Sequence, residues 1–405
     1  MKSNDFRFKF TFALMLILIG WIDAAQLTAQ VIWDRAHLDR LREEKPAAET
    51  PIGKALANLK QAADLAIQKE TTYSVTLKAV VPPSGDRHDY LSYSRYWWPD
   101  PNQPDGLPYI RKDGVVNREL VAKGDRVALG NFCSDVQVLA LAGYLFEKPR
   151  YSERAATLVR AWFLDPATRM NPNLNFGQGV PGRAPGRRSG IIDTRSFMLV
   201  LDGVALLDDS VWKEADQLAL QAWLDDYQQW LHDSPLGQHV RKATNNHGSW
   251  YAAQRARYAL FAGKNDLAKS IVAEAKQRID QQFDASGNQV AELERTLSLY
   301  YSVFNITALS RLACVGEEVG EDLWGYVPKH GCGLKKAMDK LLPVLVDQTD
   351  WPHTQIRPFK MSGPSHLTMR LFSKHWNDSS YQDVVPKVEM HNPKRDFTLL
   401  FVGGE

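Results

Sequence analysis

The chain is poor in cysteine. Cys133, Cys314 and Cys332 are the only three in 405 residues, too few for a disulfide-stapled scaffold. Cys314 and Cys332 are candidates either for one bridge in an oxidising compartment or for buried free thiols packing as small apolar groups. Excess charge is missing too: 49 Lys and Arg against 47 Asp and Glu leave +2. Nucleic-acid binders carry a basic excess or stripe, so that class of partner is set aside. Strand-like alternation is scarce before a short apolar tail at 396–402, which argues against a sandwich or barrel of strands. After residue 29 no stretch reads as long and apolar enough to span a bilayer. His353, after Trp351-Pro352, is not enough to build a metal site.

At the N-terminus Lys2, Arg7 and Lys9 precede an apolar run at 12–19, and Leu27-Thr28-Ala29 follows as a cleavage site. That pattern reads as a signal peptide over 1–29, with a retained N-terminal anchor as the alternative. It implies a periplasmic or secreted protein, residues 30–405, without stable membrane association once the signal is removed. With 44% hydrophobic residues, the rest can bury a large core as one domain. Apolar residues recur at helical spacing over 52–69, 136–146, 154–163, 196–207, 212–230, 249–261, 267–283, 296–314 and 334–346. Gly263, Asn265 and Ser286-Gly287-Asn288 punctuate them. Consecutive helical hairpins without a heptad seam predict an all-α protein, an α/α toroid or incomplete α/α barrel. An α-solenoid is the structural alternative.

Two irregular segments interrupt the helices. The first, Tyr90-Leu-Ser-Tyr-Ser-Arg-Tyr-Trp-Trp-Pro-Asp-Pro101, is aromatic and proline-bearing. Long irregular segments in compact domains are functional or disordered, and dense Tyr and Trp argue against disorder. Tyr96, Trp97 and Trp98 are therefore expected to face a sugar-binding cleft. The second, Asn171-Pro-Asn-Leu-Asn-Phe-Gly-Gln178, offers Asn173 and Gln178 as polar contacts. Arg183, Arg187 and Arg188, with a second basic cluster at Arg111, Lys112, Arg118, Lys123 and Arg126, fit a groove for a polyanion.

The residues with most chemistry are Thr244-Asn245-Asn246-His247-Gly248-Ser249, then Glu294-Arg295-Thr296 and Tyr300-Tyr301-Ser302. β-Elimination at a uronate needs fixed donors to the carboxylate, a base at C5 and an acid at the departing O4 oxygen. Thr244 and Asn245 suit a cap of a helix beginning near Ser249, whose free N–H groups attract a carboxylate. Asn246 adds an amide donor. Arg295 can grip both carboxylate oxygens and draws down the pKa of a nearby phenol. Six helical residues turn through about 120°, so Arg295 and Tyr301 share a pocket only if Arg295 precedes the helix. Alone, each residue has a plainer reading as cap, salt bridge or core aromatic.

Asn246-His247, Glu294-Arg295-Thr296 and Tyr301-Ser302 together resemble the motifs of the alginate lyase superfamily, which includes polysaccharide lyase families 5 and 38. So do Asn171–Gln178, Pro181-Gly182 and Gly190-Ile-Ile-Asp193, while Tyr96-Trp97-Trp98-Pro99 is most similar to family 38. The resemblance implies that Asn246, His247 and Arg295 neutralise the substrate carboxylate, so that neither metal nor cofactor is expected. It makes Tyr301 base and acid on mannuronate and His247 the base on guluronate. It also singles out Tyr301 over Tyr300, which with Tyr96, Trp97, Trp98, Asn173, Gln178, Arg188 and Asn245 is expected to bind substrate. The expected partner is an anionic polysaccharide, alginate first. Alternatives are a lyase for another polyuronate such as β-1,4-glucuronan, or a non-catalytic polyuronate-binding protein. A hydrolase ranks last: Glu292 and Glu294, two apart, would point to different helix faces.

Overall fold

The computed structural model describes residues 31–403. The proposed signal peptide lies outside the described residues. Helices follow one another as α1 (Arg35–Glu44), α2 (Pro51–Ile67), α3 (Arg118–Ala122), α4 (Arg126–Phe146), α5 (Pro149–Phe163), α6 (Phe197–Val204), α7 (Glu214–Asp233), α8 (Pro235–Arg241), α9 (Asn246–Phe261), α10 (Asn265–Gln282), α11 (Val290–Leu293), α12 (Ser298–Val319), α13 (Leu334–Val346), α14 (Gly363–Trp376) and α15 (Ser380–Asp383). Among the described residues, strand is confined to two small pairs. β1 (Leu91–Tyr93) runs parallel to β4 (Phe176–Gly179), and β2 (Trp97–Trp98) antiparallel to β3 (Ile110–Arg111).

The arrangement is an α/α toroid. Its inner helices are buried nearly all round: every residue of α9 from Gly248 to Phe261 is buried, and so is nearly all of α12 from Ser298 to Gly316. Outer helices show one apolar stripe, as in α10, where Ala268, Ile271, Val272, Ala275 and Ile279 face inward at three- and four-residue spacing. α4 packs on α5, α9 on both α10 and α12, and α12 on α13 and α14. Between α14 and α2 the ring is bridged by the C-terminal segment, whose Leu400, Phe401 and Val402 are buried and whose Phe401 stacks on Trp33. That tail, read as strand-like from its alternation, closes as a 3-10 turn over Thr398–Leu400.

Two buried charges inside this core have partners of opposite sign. Arg257 and Asp202 are fully buried and meet at 2.8 Å between α9 and α6. In α4, Asp135 accepts from Lys69 at 2.7 Å and Tyr73 at 2.7 Å, so a charge sits inside a helix of otherwise apolar burial. α4 begins ten residues before the apolar run at 136–146 and reaches 21 residues. It is therefore long and apolar enough to cross a membrane, contrary to the expectation that no such stretch follows residue 29. Most of it is buried among its neighbours, as befits a core helix. The three cysteines are all buried and free, so Cys314 and Cys332 do not pair.

Candidate active site

Loops gathered at one end of the inner helices form the site. Asp193, after the Gly190-Ile-Ile motif, accepts from Tyr90 (3.1 Å), Ser92 (2.7 Å), Gln178 (2.8 Å) and Arg126 (2.7 Å). One carboxylate thus ties the aromatic segment, the amide-rich loop and α4 together. The crossing is tight: a Cβ on Gly190 would sit 2.6 Å from the backbone of Gly177. Gln178 and Asn173, expected to contact substrate, are both engaged within the protein. Gln178 is buried with its amide on Asp193, and Asn173 donates to Asp89 at 3.0 Å while its oxygen accepts from Asn175 N at 3.1 Å. These amides position the loop.

The N-terminus of α9 differs from expectation in a second way. The helix starts at Asn246 rather than near Ser249, so Asn246 and His247 belong to its first turn. Asn245 is the cap, its side-chain oxygen accepting from His247 N at 3.1 Å. The backbone N–H of Asn246 donates to Glu292 at 2.6 Å, and Gly248 N donates to the Asn245 carbonyl at 2.9 Å. The first-turn donors are therefore engaged within the protein and do not wait for a ligand. The Asn246 side chain is engaged too: Nδ2 lies 3.0 and 2.8 Å from the two Glu292 oxygens, and Oδ1, buried, has no partner. Burial raises the Glu292 carboxyl to about 7 against the pull of the Asn246 donors and Arg295. His247 goes the other way, lowered to about 4 by burial and by Arg295, Arg188, Arg187 and Arg111. At neutral pH its imidazole is uncharged.

Arg295 lies in the turn between α11 and α12, ahead of the helix that carries Tyr301. This placement frees it from the helical rotation that would separate the two, and its guanidinium sits 3.6 Å from the Tyr301 ring centroid. Its fork does not stand open for a ligand carboxylate, as the sequence led us to expect. Nε and Nη2 bond Asp113 at 3.3 and 2.9 Å, and Asp113 also accepts from Thr296 N (3.2 Å) and Thr296 Oγ1 (3.0 Å). The Tyr301 hydroxyl meets that of Tyr96 at 3.0 Å. Burial, then the neighbouring Tyr96, pushes the Tyr301 phenol upward; Arg295 and Arg95 pull it down but do not win. The expected depression of this phenol is thus reversed in the free protein, because the pocket removes the hydroxyl from water. Tyr300 meets Tyr301 edge-on at 5.2 Å between ring centroids and stacks on Phe304 at 5.8 Å.

Around this centre Trp97 lies between Arg183 and Arg187, at 5.3 and 5.4 Å, and Lys112 sits over Trp98 at 5.5 Å. Arg188 is exposed and contacts the His239 ring. Three contributors escaped the sequence reading. Asp113 and Arg95 sit in the irregular aromatic loop with nothing in the chain to mark their partners. Glu292 was noted only as half of a carboxylate pair. That pair does not form: Glu292 is buried on Asn246 while Glu294 is exposed.

The alginate lyase family model matches residues 74–351, more than half of the chain. The chain belongs to the alginate lyase family. An alginate lyase from Bacteroides ovatus is 32% identical, with a TM-score of 0.86 over 93% of this chain and all of that one. Alginate lyase A1-III from Sphingomonas species A1, at 14% identity, shares the fold, with a TM-score of 0.57 over 95% of this chain and 99% of its own. A variant of that enzyme complexed with a tetrasaccharide superposes with a TM-score of 0.60 at the same identity. Curated proteins gave no match. As a member of this family the protein is a polysaccharide lyase. Among the described residues no three His, Cys, Asp or Glu side chains cluster as metal ligands. The charged and polar groups gathered here are Arg295, Arg95, neutral His247 and the Asn246–Glu292 pair.

Proposed function

We propose that this lyase cleaves alginate by β-elimination, with Tyr301 as base and acid at mannuronate and His247 as base at guluronate. The observation that carries the reading is the Arg295 guanidinium on the Tyr301 ring, with a second phenol, Tyr96, at its hydroxyl. A cation at 3.6 Å, together with Arg95, favours tyrosinate, the form that takes the C5 proton, against the burial that keeps the phenol protonated in the free protein. The same phenol, once protonated, would return the proton to the departing O4 oxygen. Negative charge growing on the uronate carboxylate would be balanced by Arg295, Asn246 and His247. With its ring uncharged, His247 is free to accept a proton where C5–H and O4 lie on opposite faces. Trp97 and Trp98, with Arg183, Arg187, Arg188 and Lys112, supply aromatic faces and positive charge for further uronate units.

Support comes from the family match and from the alginate lyase of Bacteroides ovatus; the Tyr96-Trp97-Trp98-Pro99 segment favours polysaccharide lyase family 38 over family 5. We also read residues 1–29 as an export signal and place the enzyme in the periplasm or outside the cell. The test is a set of initial rates on polymannuronate, polyguluronate and β-1,4-glucuronan, read as ultraviolet absorbance of the conjugated product. Cleavage of a mannuronate or guluronate polymer above glucuronan is expected. Preference for glucuronan would move the substrate within the same mechanism, and binding without turnover would overturn the reading.

A further inference from the structure

Glu292 and Asn246 form an arrangement that the elimination chemistry does not explain. Glu292 is 1% exposed and receives the backbone N–H of Asn246 at one oxygen and the side-chain Nδ2 of Asn246 at both. Such an arrangement fits an ionised carboxylate, which only accepts. It also fixes the amide: with Nδ2 turned to Glu292, the other corner of Asn246 is Oδ1, buried and without a donor. An orphaned buried acceptor costs stability. It is also the wrong group for the task assigned to Asn246, because a uronate carboxylate meeting Oδ1 would set acceptor against acceptor. The charge state of Glu292 and the direction of the amide are thus locked together.

We infer that Glu292 is a positioning residue that takes up a proton as substrate binds, and that this turns the Asn246 amide toward the uronate. The proton comes from solvent and ends on the Glu292 oxygen now facing Nδ2. The resulting acid donates to Oδ1, which removes the orphan. The other Glu292 oxygen keeps the backbone N–H of Asn246. Nδ2, released, presents its two protons to the substrate carboxylate. Three charged or titratable groups bear on the change. Arg295, following α11, favours the ionised form; His247, beside Asn246 on α9, is neutral; the incoming uronate is an anion and favours the acid. The carboxyl is already raised to about 7 by its burial, so a nearby negative charge need add little to protonate it.

This inference rests on the polyuronate reading, and the experiment separates the two. Tyr301→Phe protein, which should bind without cutting, is titrated calorimetrically with saturated mannuronate and glucuronate oligomers at pH 8, in phosphate and in Tris. The difference in apparent enthalpy between buffers gives the protons exchanged. More than half a proton should be taken up per site, since the carboxyl is largely ionised beforehand. His247, lowered to about 4, should contribute little at that pH. The double variant Tyr301→Phe, Glu292→Gln should bind with almost no uptake, because Gln can donate to Oδ1 without a proton from solvent. A second readout needs no change at Glu292: Kd should be flat below about pH 7 and weaken up to tenfold per pH unit above it. Tight binding with no proton uptake and a pH-independent Kd would overturn the inference and leave the substrate reading standing. Equal uptake by the double variant would also overturn it. Failure to bind either oligomer would overturn both.

Discussion

Asp113 offers the sharpest test of how the aromatic loop and the catalytic centre are joined. It belongs to the segment carrying Tyr96, Trp97 and Trp98, yet its partners, Arg295 and Thr296, lie more than 180 positions away. Asp113 and Arg295 side chains are each 16% exposed. Removing one partner of a well-buried ion pair costs about 3–5 kcal/mol; screening at a partly open site reduces this to about 2 kcal/mol. That energy holds the loop down, not the toroid together. Asp113→Ala should therefore open the 96–117 segment and separate Tyr96 from Tyr301. It should lower kcat/KM roughly thirtyfold, the ratio that 2 kcal/mol corresponds to, while the melting temperature moves by a few degrees at most. Hydrogen exchange should quicken at the amides of this loop and not in α9 or α12. Arg295 holds the Asp113 carboxyl well below its ordinary range against the opposing effect of burial. A depressed acid contributes above its unfolded pKa of about 3.9 and loses that contribution as pH falls through the folded value. The loop should accordingly stay docked from neutral pH down to about pH 4 and loosen only below. Wild-type turnover with unchanged exchange in Asp113→Ala would refute the argument, as would global unfolding.

Other outcomes follow from the same geometry. Tyr301→Phe should lose about 10²-fold or more in kcat, measured beside a thermal melt that stays close to wild type, since one hydrogen bond is worth on the order of 1 kcal/mol. Tyr300→Phe, which keeps the stack on Phe304, should remain active; the reverse pattern would show that the other phenol handles the proton. Arg257→Ala removes the cation that pairs with buried Asp202 and should cost about 3–5 kcal/mol in a denaturant titration, where a change under 1 kcal/mol would contradict the pairing. Chelation should leave turnover largely intact, and activity that vanishes and returns with a divalent ion would contradict the reading.

Periodicity made the helices legible where burial is one-sided. α13 spans 334–346 as its apolar spacing predicts, and α10 differs by two residues or fewer at each end. It misled where a buried helix carries polar groups. The first half of α4 holds Arg126, Gly130, Asn131, Ser134 and Asp135, and Asp135 is tolerated only because Lys69 and Tyr73 reach it from elsewhere. α14 went unread because Gly363-Pro364 resembles a turn, although proline at a first helical turn is favourable. At the site, residue types were readable and hydrogen-bond directions were not. Asn246 and Arg295 were identified as donors, but Glu292 and Asp113, which now hold those donors, lie 46 and 182 residues from them. Gln178 looked like a ligand-binding amide because its partner Asp193 reaches it only through the Gly177–Gly190 crossing.

The central claim is elimination driven by the Tyr301 phenol. The most direct measurement counts two products in one reaction on polymannuronate: conjugated double bonds by ultraviolet absorbance and new reducing ends by chemical assay, with Tyr301→Phe protein run in parallel. The account predicts one double bond per reducing end in the wild type and neither in the variant. Reducing ends without absorbance would mean that water, not elimination, breaks the chain, and equal absorbance from Tyr301→Phe would remove this tyrosine from the chemistry.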